Sequence, residues 1–303
     1  MRKELSVLII CFLRTSHIES QLNVIAAYGI KSVYVSIDGP RNSKDIDRQN
    51  DLLAIFSESC NKYNLNLTIN RFSNNLGLSQ SIISSIDWFF ANVDFGIILE
   101  DDLLISENFL KFVEESKSLL DRHDDLLIIS GNQFRKEPLN LQWSHYPLIW
   151  GWASNARKWR TIRKLAKLRK LPNLSNFNLK TWLFWSSGIL RLKWKLLNSW
   201  ALPLAANMKA LDFLTYLPTV NLVSHEGFDD VAVHSNIKSI DLKISLSRDS
   251  SLHSTLISNT EIHSEAKMND IWFEKNFYKI GNRVLLSPIK LFLQIFISFF
   301  RHR

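Results

Sequence analysis

In the first 130 residues, short apolar runs alternate with segments of helical period, and no other feature restricts the fold as much. Residues 5–13 form a near-continuous apolar run, as a strand buried on both faces requires. "SHIE", Ser16 to Glu19, has the spacing of a capping box and predicts a helix running to about Tyr28. Val33 to Ile37 predicts a second strand, stopped by the turn signal "DGPRN", and a mixed polar and apolar helix follows to about Tyr63. Leu65 to Phe72 alternates as a third strand. The loop "SNNLG" then leads into helical spacing from Ser79 to Phe90. Phe95 to Leu99 predicts a fourth strand, Asn108 to Leu120 a helix and Leu126 to Ser130 a fifth strand.

Strands alternating with helices imply an α/β chain with a doubly wound, mostly parallel, Rossmann-like sheet. In such sheets ligands bind beyond the carboxyl ends of the strands. Polar residues collect at those ends: Arg14 after the first strand, Asp38 after the second, Asn74, Asn75 and Gly77 after the third, and Glu100, Asp101 and Asp102 after the fourth. Three consecutive carboxylates behind a buried strand need either solvent or a bound cation. Oxygen ligands favour Mg²⁺ or Mn²⁺, which use one or two carboxylates plus substrate phosphates. The chain has no glycine-rich dinucleotide fingerprint and no phosphate loop, so a diphosphate here would be neutralised by other means.

The net charge of +8 is local. "RKWRTIRKLAKLRK", residues 157 to 170, holds eight cations and no acidic residue, and the rest of the chain is neutral. Trp159, Ile162, Leu165 and Leu168 recur there at helical spacing, which suits an anionic membrane surface, a phosphate-bearing ligand or a solvated helix. No recognisable nucleic-acid module accompanies the patch, so nucleic acid is not an expected partner. Most of the ten Trp fall between Trp143 and Trp200, a pattern compatible with sugar stacking and equally with a core. Cys11 and Cys60 are too few for a disulfide framework, and a reducing compartment fits. The start, "MRKELSVLIICFL", reads as a first strand rather than a secretory signal, because Glu4 interrupts it and no small-residue cleavage site follows. "LLSPIKLFLQIFISFFRHR" is too short and too interrupted to span a bilayer comfortably, and reads either as an interfacial anchor or as a closing helix.

Five blocks, "RFSNNLGLSQSIISSIDWFF", "GIILEDDLLISENFLKF", "ISGNQF", "HYPLIWGWASNARKW" and "NLVSHEGFDDVAVHS", together resemble bacterial nucleotide-diphospho-sugar transferases of the GT-A fold. The acidic triplet is also similar to that of N-acetylglucosaminyltransferase I. The resemblance covers residues 5 to 240 and implies a metal-dependent glycosyltransferase acting on a surface glycan of the O-antigen or capsule type. It divides the chain into a nucleotide-sugar half (1–131), a Trp-rich acceptor half of the same domain (132–285) and an amphipathic tail (286–303). It implies that Asp102 binds Mn²⁺ or Mg²⁺ while Glu100 and Asp101 face ribose and sugar. Arg14 and Asp38 would contact the nucleotide, with Asn75 and Gly77 on the same substrate edge. Trp150, Gly151 and Trp152 would lie by a sugar, and His234 would face the diphosphate or metal.

The implied partners are a nucleotide diphosphate sugar, a glycan acceptor (including a lipid-linked one) and a membrane surface, with the enzyme cytoplasmic and peripheral on the inner membrane. Two departures stand out. "WGWASNARKW" replaces a pattern like "WGWATWRRAW", and Trp200 is followed by Ala201 where the family often has Asp as general base. The remaining candidates for the base are Glu226, Asp229 and Asp230, of which Asp229 and Asp230 are favoured. Ala201 also keeps open a degenerate sugar-nucleotide-binding scaffold. A nucleotidyltransferase, the third reading, lacks its glycine-rich start.

Overall fold

The apolar runs of the amino-terminal half become parallel strands around a buried centre. The structure, a computed structural model, describes residues 5–135, 141–225 and 258–280. In chain order its first half holds β1 (Ser6–Cys11), α1 (Ile18–Ala27), β2 (Ser32–Ile37), α2 (Ser43–Tyr63), β3 (Asn66–Arg71), α3 (Leu78–Asn92) and β4 (Phe95–Glu100). Then come β5 (Leu103–Ile105), α4 (Glu107–Ser116), α5 (Leu119–Arg122), β6 (Leu126–Ser130), β7 (Trp143–Ser144), β8 (Trp152–Asn155) and α6 (Ala156–Lys167). α7 (Leu179–Lys193), α8 (Ala201–Ala210), β9 (Leu214–Tyr216), β10 (Val223–His225) and α9 (Asn259–Trp272) follow, and a π-helical turn, Phe273–Phe277, extends α9.

The main sheet has the order β3-β2-β1-β4-β8-β6-β9-β7, and β10 pairs separately with β5. β1 runs parallel to β2 and β4, and β2 parallel to β3, so the mostly parallel α/β fold is as expected. Leu8, Ile9, Val33, Val35, Ile97 and Leu99 are fully buried on these strands. Each such side chain contributes about 1.5–3 kcal/mol relative to exposure. β3 is the sheet edge: only Leu67 and Asn70 on it are half-buried, and its other residues are exposed.

Three local expectations differ. Ser16 does not cap α1; His17 takes that place without a side-chain capping bond, and Glu19 accepts from Lys62 on α2 at 2.7 Å instead of turning back. The expected helix from Asn108 divides near Lys117 into α4 and α5, with Ser106 capping α4. β8, from the Trp-rich segment, inserts antiparallel between β4 and β6, which the alternating pattern does not announce.

The chain forms two compact units that interleave in sequence. The first comprises the described residues of Met1–Gln142, Leu148–Trp159 and Tyr216–Thr255. The second comprises those of Trp143–Pro147, Arg160–Thr215 and Leu256–Arg303. The apolar stripe of α6 faces inward: Trp159, Ile162 and Leu165 are buried, and only Leu168, just past the helix, is exposed. That stripe is therefore not available to a membrane. Trp143, Trp152, Trp159, Trp185 and Trp200 are buried as well, so much of the Trp cluster is core. Among the described residues no helix is long and apolar enough to cross a membrane.

Candidate functional site at the strand ends of the first unit

β1, β2 and β4 deliver their polar residues to one edge because they are parallel and in register. Ile10 pairs with Glu100, and Cys11 with Ile37, so the residues after each strand emerge side by side. The turn carrying Asp101 and Asp102 is held from below. Gln21 on α1 is buried, and its side-chain amide donates to the Glu100 carbonyl at 2.8 Å and to the Leu103 carbonyl at 2.7 Å. Asp101 N–H donates to the Ile10 carbonyl, while its carboxylate accepts from Phe12 N–H at 3.2 Å. The acidic motif alone did not reveal Gln21; its signal, a polar residue on the apolar face of a predicted helix, was available.

Arg14 lies against the acidic pair. Its Nη1 donates to Asp102 Oδ2 at 2.7 Å and stands 4.0 Å from Asp101 Oδ1. Among the described residues no hydrogen bond reaches the Glu100 carboxylate. Burial, then the Asp102 and Asp101 charges, push Glu100 up to about 8 despite Arg14. Burial and Asp102 likewise push Asp101 up to about 7, against the Phe12 hydrogen bond and Arg14. One guanidinium thus leaves three crowded carboxylates under-neutralised. The same charges, after burial, raise the thiol of Cys11, which is buried. Three hard oxygen donors with a charge deficit are the donor set that a divalent cation suits.

Asp38 has a different task from the expected nucleotide contact. Its carboxylate is buried and accepts four hydrogen bonds: Gly39 N–H and Leu76 N–H on Oδ1, Gly77 N–H and the Asn75 amide on Oδ2. Asp38 therefore organises the loop after β3, and Gln49 supports it by donating to the Asp38 carbonyl at 2.8 Å. Asn75 spends its amide on Asp38 and on the Gly39 carbonyl, at 3.1 and 2.8 Å. Gly77 has φ +73° and caps α3, a conformation that favours glycine. A Cβ on Gly39 would overlap the Asn74 carbonyl, so this approach also needs glycine.

Trp150, Gly151 and Trp152 reach the same edge by the antiparallel register of β8. Ile98 pairs with Trp152, the first residue of β8, and Trp150 and Gly151 precede it, with Gly151 at φ +70°. Trp150 is half-buried and meets Phe134 edge to face at 5.5 Å between ring centroids. The Gly151 carbonyl accepts from Gly131 N–H at 2.8 Å, tying β8 to the end of β6. Trp152 is 1% exposed and belongs to the core, which corrects its expected place beside a sugar. β10 pairs His225 with Leu103, adjacent to Asp102, so the chain enters its next segment at this edge. Glu226, Asp229, Asp230, His234 and residues 286–303 lie outside the described residues. Ala201 occupies the first position of α8, after the buried Trp200.

No protein-family model matches the chain, and no curated protein matches it. Among solved structures the chain is similar to a 4-diphosphocytidyl-2C-methyl-D-erythritol synthase of Anaerococcus prevotii DSM 20548, at 12% identity and TM-score 0.35, covering 53% of this chain and 74% of that one. It is similar to a UDP-glucose pyrophosphorylase complexed with UDP-glucose, at 10% identity and TM-score 0.36, covering 71% and 90%. A protein described as a glucose-1-phosphate thymidylyltransferase from Bacillus anthracis gives 13% identity and TM-score 0.32, covering 60% and 82%. At this level of likeness none of the three bears on what this chain binds or does.

Proposed function

We propose that the chain is a glycosyltransferase that moves a sugar from a nucleotide diphosphate donor to a hydroxyl of a surface-glycan acceptor. The observation that carries this reading is the under-neutralised Glu100–Asp101–Asp102 cluster beside Arg14, at the carboxyl ends of parallel strands. A Mn²⁺ or Mg²⁺ ion held by Asp102 would supply neutralisation of the departing diphosphate. Arg14 adds a fixed cation on the same side. Glu100 and Asp101 offer acceptors to ribose and sugar hydroxyls, and Gln21 keeps their turn from shifting. Asp38 and Asn75, bonded to each other, shape with Gly77 the neighbouring loop that borders the donor. Trp150 offers an aromatic face beside the trio. Asp229 or Asp230 as general base, and His234 as a further metal ligand, remain part of the proposal on the strength of the motif "HEGFDD" and its resemblance.

The anionic membrane surface enters through the outward cations of α6 and the tail 286–303, and places the enzyme on the cytoplasmic face of the membrane. Flotation with anionic liposomes checks that part, with loss of binding expected on deletion of 286–303.

Incubating the purified protein with a panel of nucleotide sugars and Mn²⁺ tests the reaction class. Slow release of nucleoside diphosphate is expected. Pyrophosphate release on supplying a sugar phosphate and a nucleoside triphosphate would instead indicate nucleotidyl transfer. Binding without any release would indicate the scaffold that Ala201 suggests.

A further inference from the structure

The second unit holds a group of polar side chains that neither the acidic motif nor the Trp-rich segment announces. His145 follows β7, Asp212 lies in the turn between α8 and β9, and His263 lies on α9. One ligand atom from each lies within 4.8 Å of the others. His145 Nε2 stands 3.1 Å from His263 Nδ1 and 3.8 Å from Asp212 Oδ1. Tetrahedral zinc with ligand bonds of about 2.0–2.1 Å separates its ligand atoms by about 3.3 Å, so the two spacings from His145 Nε2 lie on either side of what such an ion needs.

The orientation of His145 strengthens this. Its Nδ1 lies 2.7 Å from Asp270 Oδ2 at a fully buried carboxylate. Asp270 is held from every side: Ser144 hydroxyl and His145 N–H donate to Oδ1 at 2.8 and 3.0 Å, and Lys209 Nζ donates to Oδ2 at 2.6 Å. With Nδ1 turned to Asp270, His145 presents Nε2 toward His263 and Asp212. A carboxylate behind a ligating imidazole is the usual arrangement at protein metal sites. Asp212 is also fixed: it adopts φ +54°, and its Oδ2 accepts from Asn176 at 2.9 Å, leaving Oδ1 on the side of His145.

We infer that His145 Nε2, His263 Nδ1 and Asp212 Oδ1 form a transition-metal site, best suited to Zn²⁺, with a fourth position open to solvent. The donors select the ion: two imidazoles and one carboxylate suit zinc better than Mg²⁺ or Ca²⁺, which take oxygen. Half of the Asp212 side chain is exposed, which gives an ion a route in and a water a place as fourth ligand. The three ligands come from segments far apart in sequence, so the ion would also cross-link the unit. This inference is independent of the carboxylate trio.

Titration of the full-length protein with Co²⁺, read by visible d–d absorption and back-titrated with Zn²⁺, tests it. One equivalent is expected to give the intense visible band of a four-coordinate site, displaced by Zn²⁺. His263→Gln is expected to remove the band, and Asp212→Asn to weaken affinity at least tenfold, while Asp102→Asn leaves the band intact. Zn²⁺ should raise the Tm of the wild-type and Asp102→Asn proteins and leave that of His263→Gln unchanged, since a ligand of the folded state alone stabilises it. The inference is overturned if the wild-type protein shows no such band, or if the band and the Zn²⁺-dependent Tm shift survive in His263→Gln.

Discussion

Arg14 Nη1 donates to Asp102 Oδ2 at 2.7 Å, joining residues 88 positions apart at the ends of β1 and β4. The same Nη1 stands 4.0 Å from Asp101 Oδ1, and this contact sets what each substitution there should do. Asp102→Ala should abolish metal-dependent donor binding while keeping the fold, because its carboxylate contributes to the site more than to the core. Calorimetric donor affinity measured with and without Mn²⁺ should become equal. Arg14→Gln should lower donor affinity at least tenfold, about 1.4 kcal/mol, by removing a fixed cation. A wild-type response to Mn²⁺ in Asp102→Ala would sink the metal assignment.

The raised carboxylates make a pH prediction of defined sign. Glu100 and Asp101 hold protons in the folded chain up to about 8 and about 7, above their ordinary values of 4.5 and 3.8. The folded state therefore binds more protons than the unfolded one across that window, and stability falls as pH rises through it. Without divalent ions, the Tm should decline between pH 5 and 8. Mn²⁺ should raise the Tm more at pH 8 than at pH 5, since it binds the ionised forms. Glu100→Gln should flatten the decline; an unchanged slope in that variant would place the titration elsewhere.

Asp38 gives a stability prediction rather than a catalytic one. Its two oxygens accept from Gly39, Leu76, Gly77 and Asn75. In Asp38→Asn one oxygen becomes an amide that turns donors toward donors. Losing acceptors for buried N–H groups costs about 1–3 kcal/mol each. The variant should unfold at lower denaturant concentration, and donor affinity should fall as the loop loses its shape. Unchanged midpoint with lost donor binding would return Asp38 to the role of direct nucleotide contact.

The amino-terminal fold was legible because its rule is local. Continuous apolar runs such as Leu5 to Leu13 can only be strands buried on two faces, and the intervening helices bring their ends to one edge. Placing Arg14, Glu100, Asp101 and Asp102 together followed from that alone. β8 was not legible, since "WASN" has neither length nor alternation, and only its pairing with β4 and β6 makes it a strand. The stripe of α6 was legible as a stripe, but not what it covers: a buried apolar face and a membrane-facing one have the same period. The His145, Asp212 and His263 group was invisible for a similar reason, because three single residues in distant segments carry no spacing signal.

Trp150 and Trp152 stand two residues apart and should answer substitution in opposite ways. Trp152 is 1% exposed, sits in β8 between β4 and β6, and packs toward Trp159 with ring centroids 6.5 Å apart. Trp152→Ala removes a large buried ring and should cost about 3–5 kcal/mol, seen as a much lower unfolding midpoint whatever substrate is present. Trp150 precedes the strand and is half-buried. Trp150→Ala should leave the midpoint nearly unchanged and raise KM for donor or acceptor, while Trp150→Phe retains most of the affinity because an aromatic face remains. If Trp150→Ala instead unfolds the protein as readily as Trp152→Ala, then the Trp150 ring is part of the core and the sugar-facing surface must be sought on other residues.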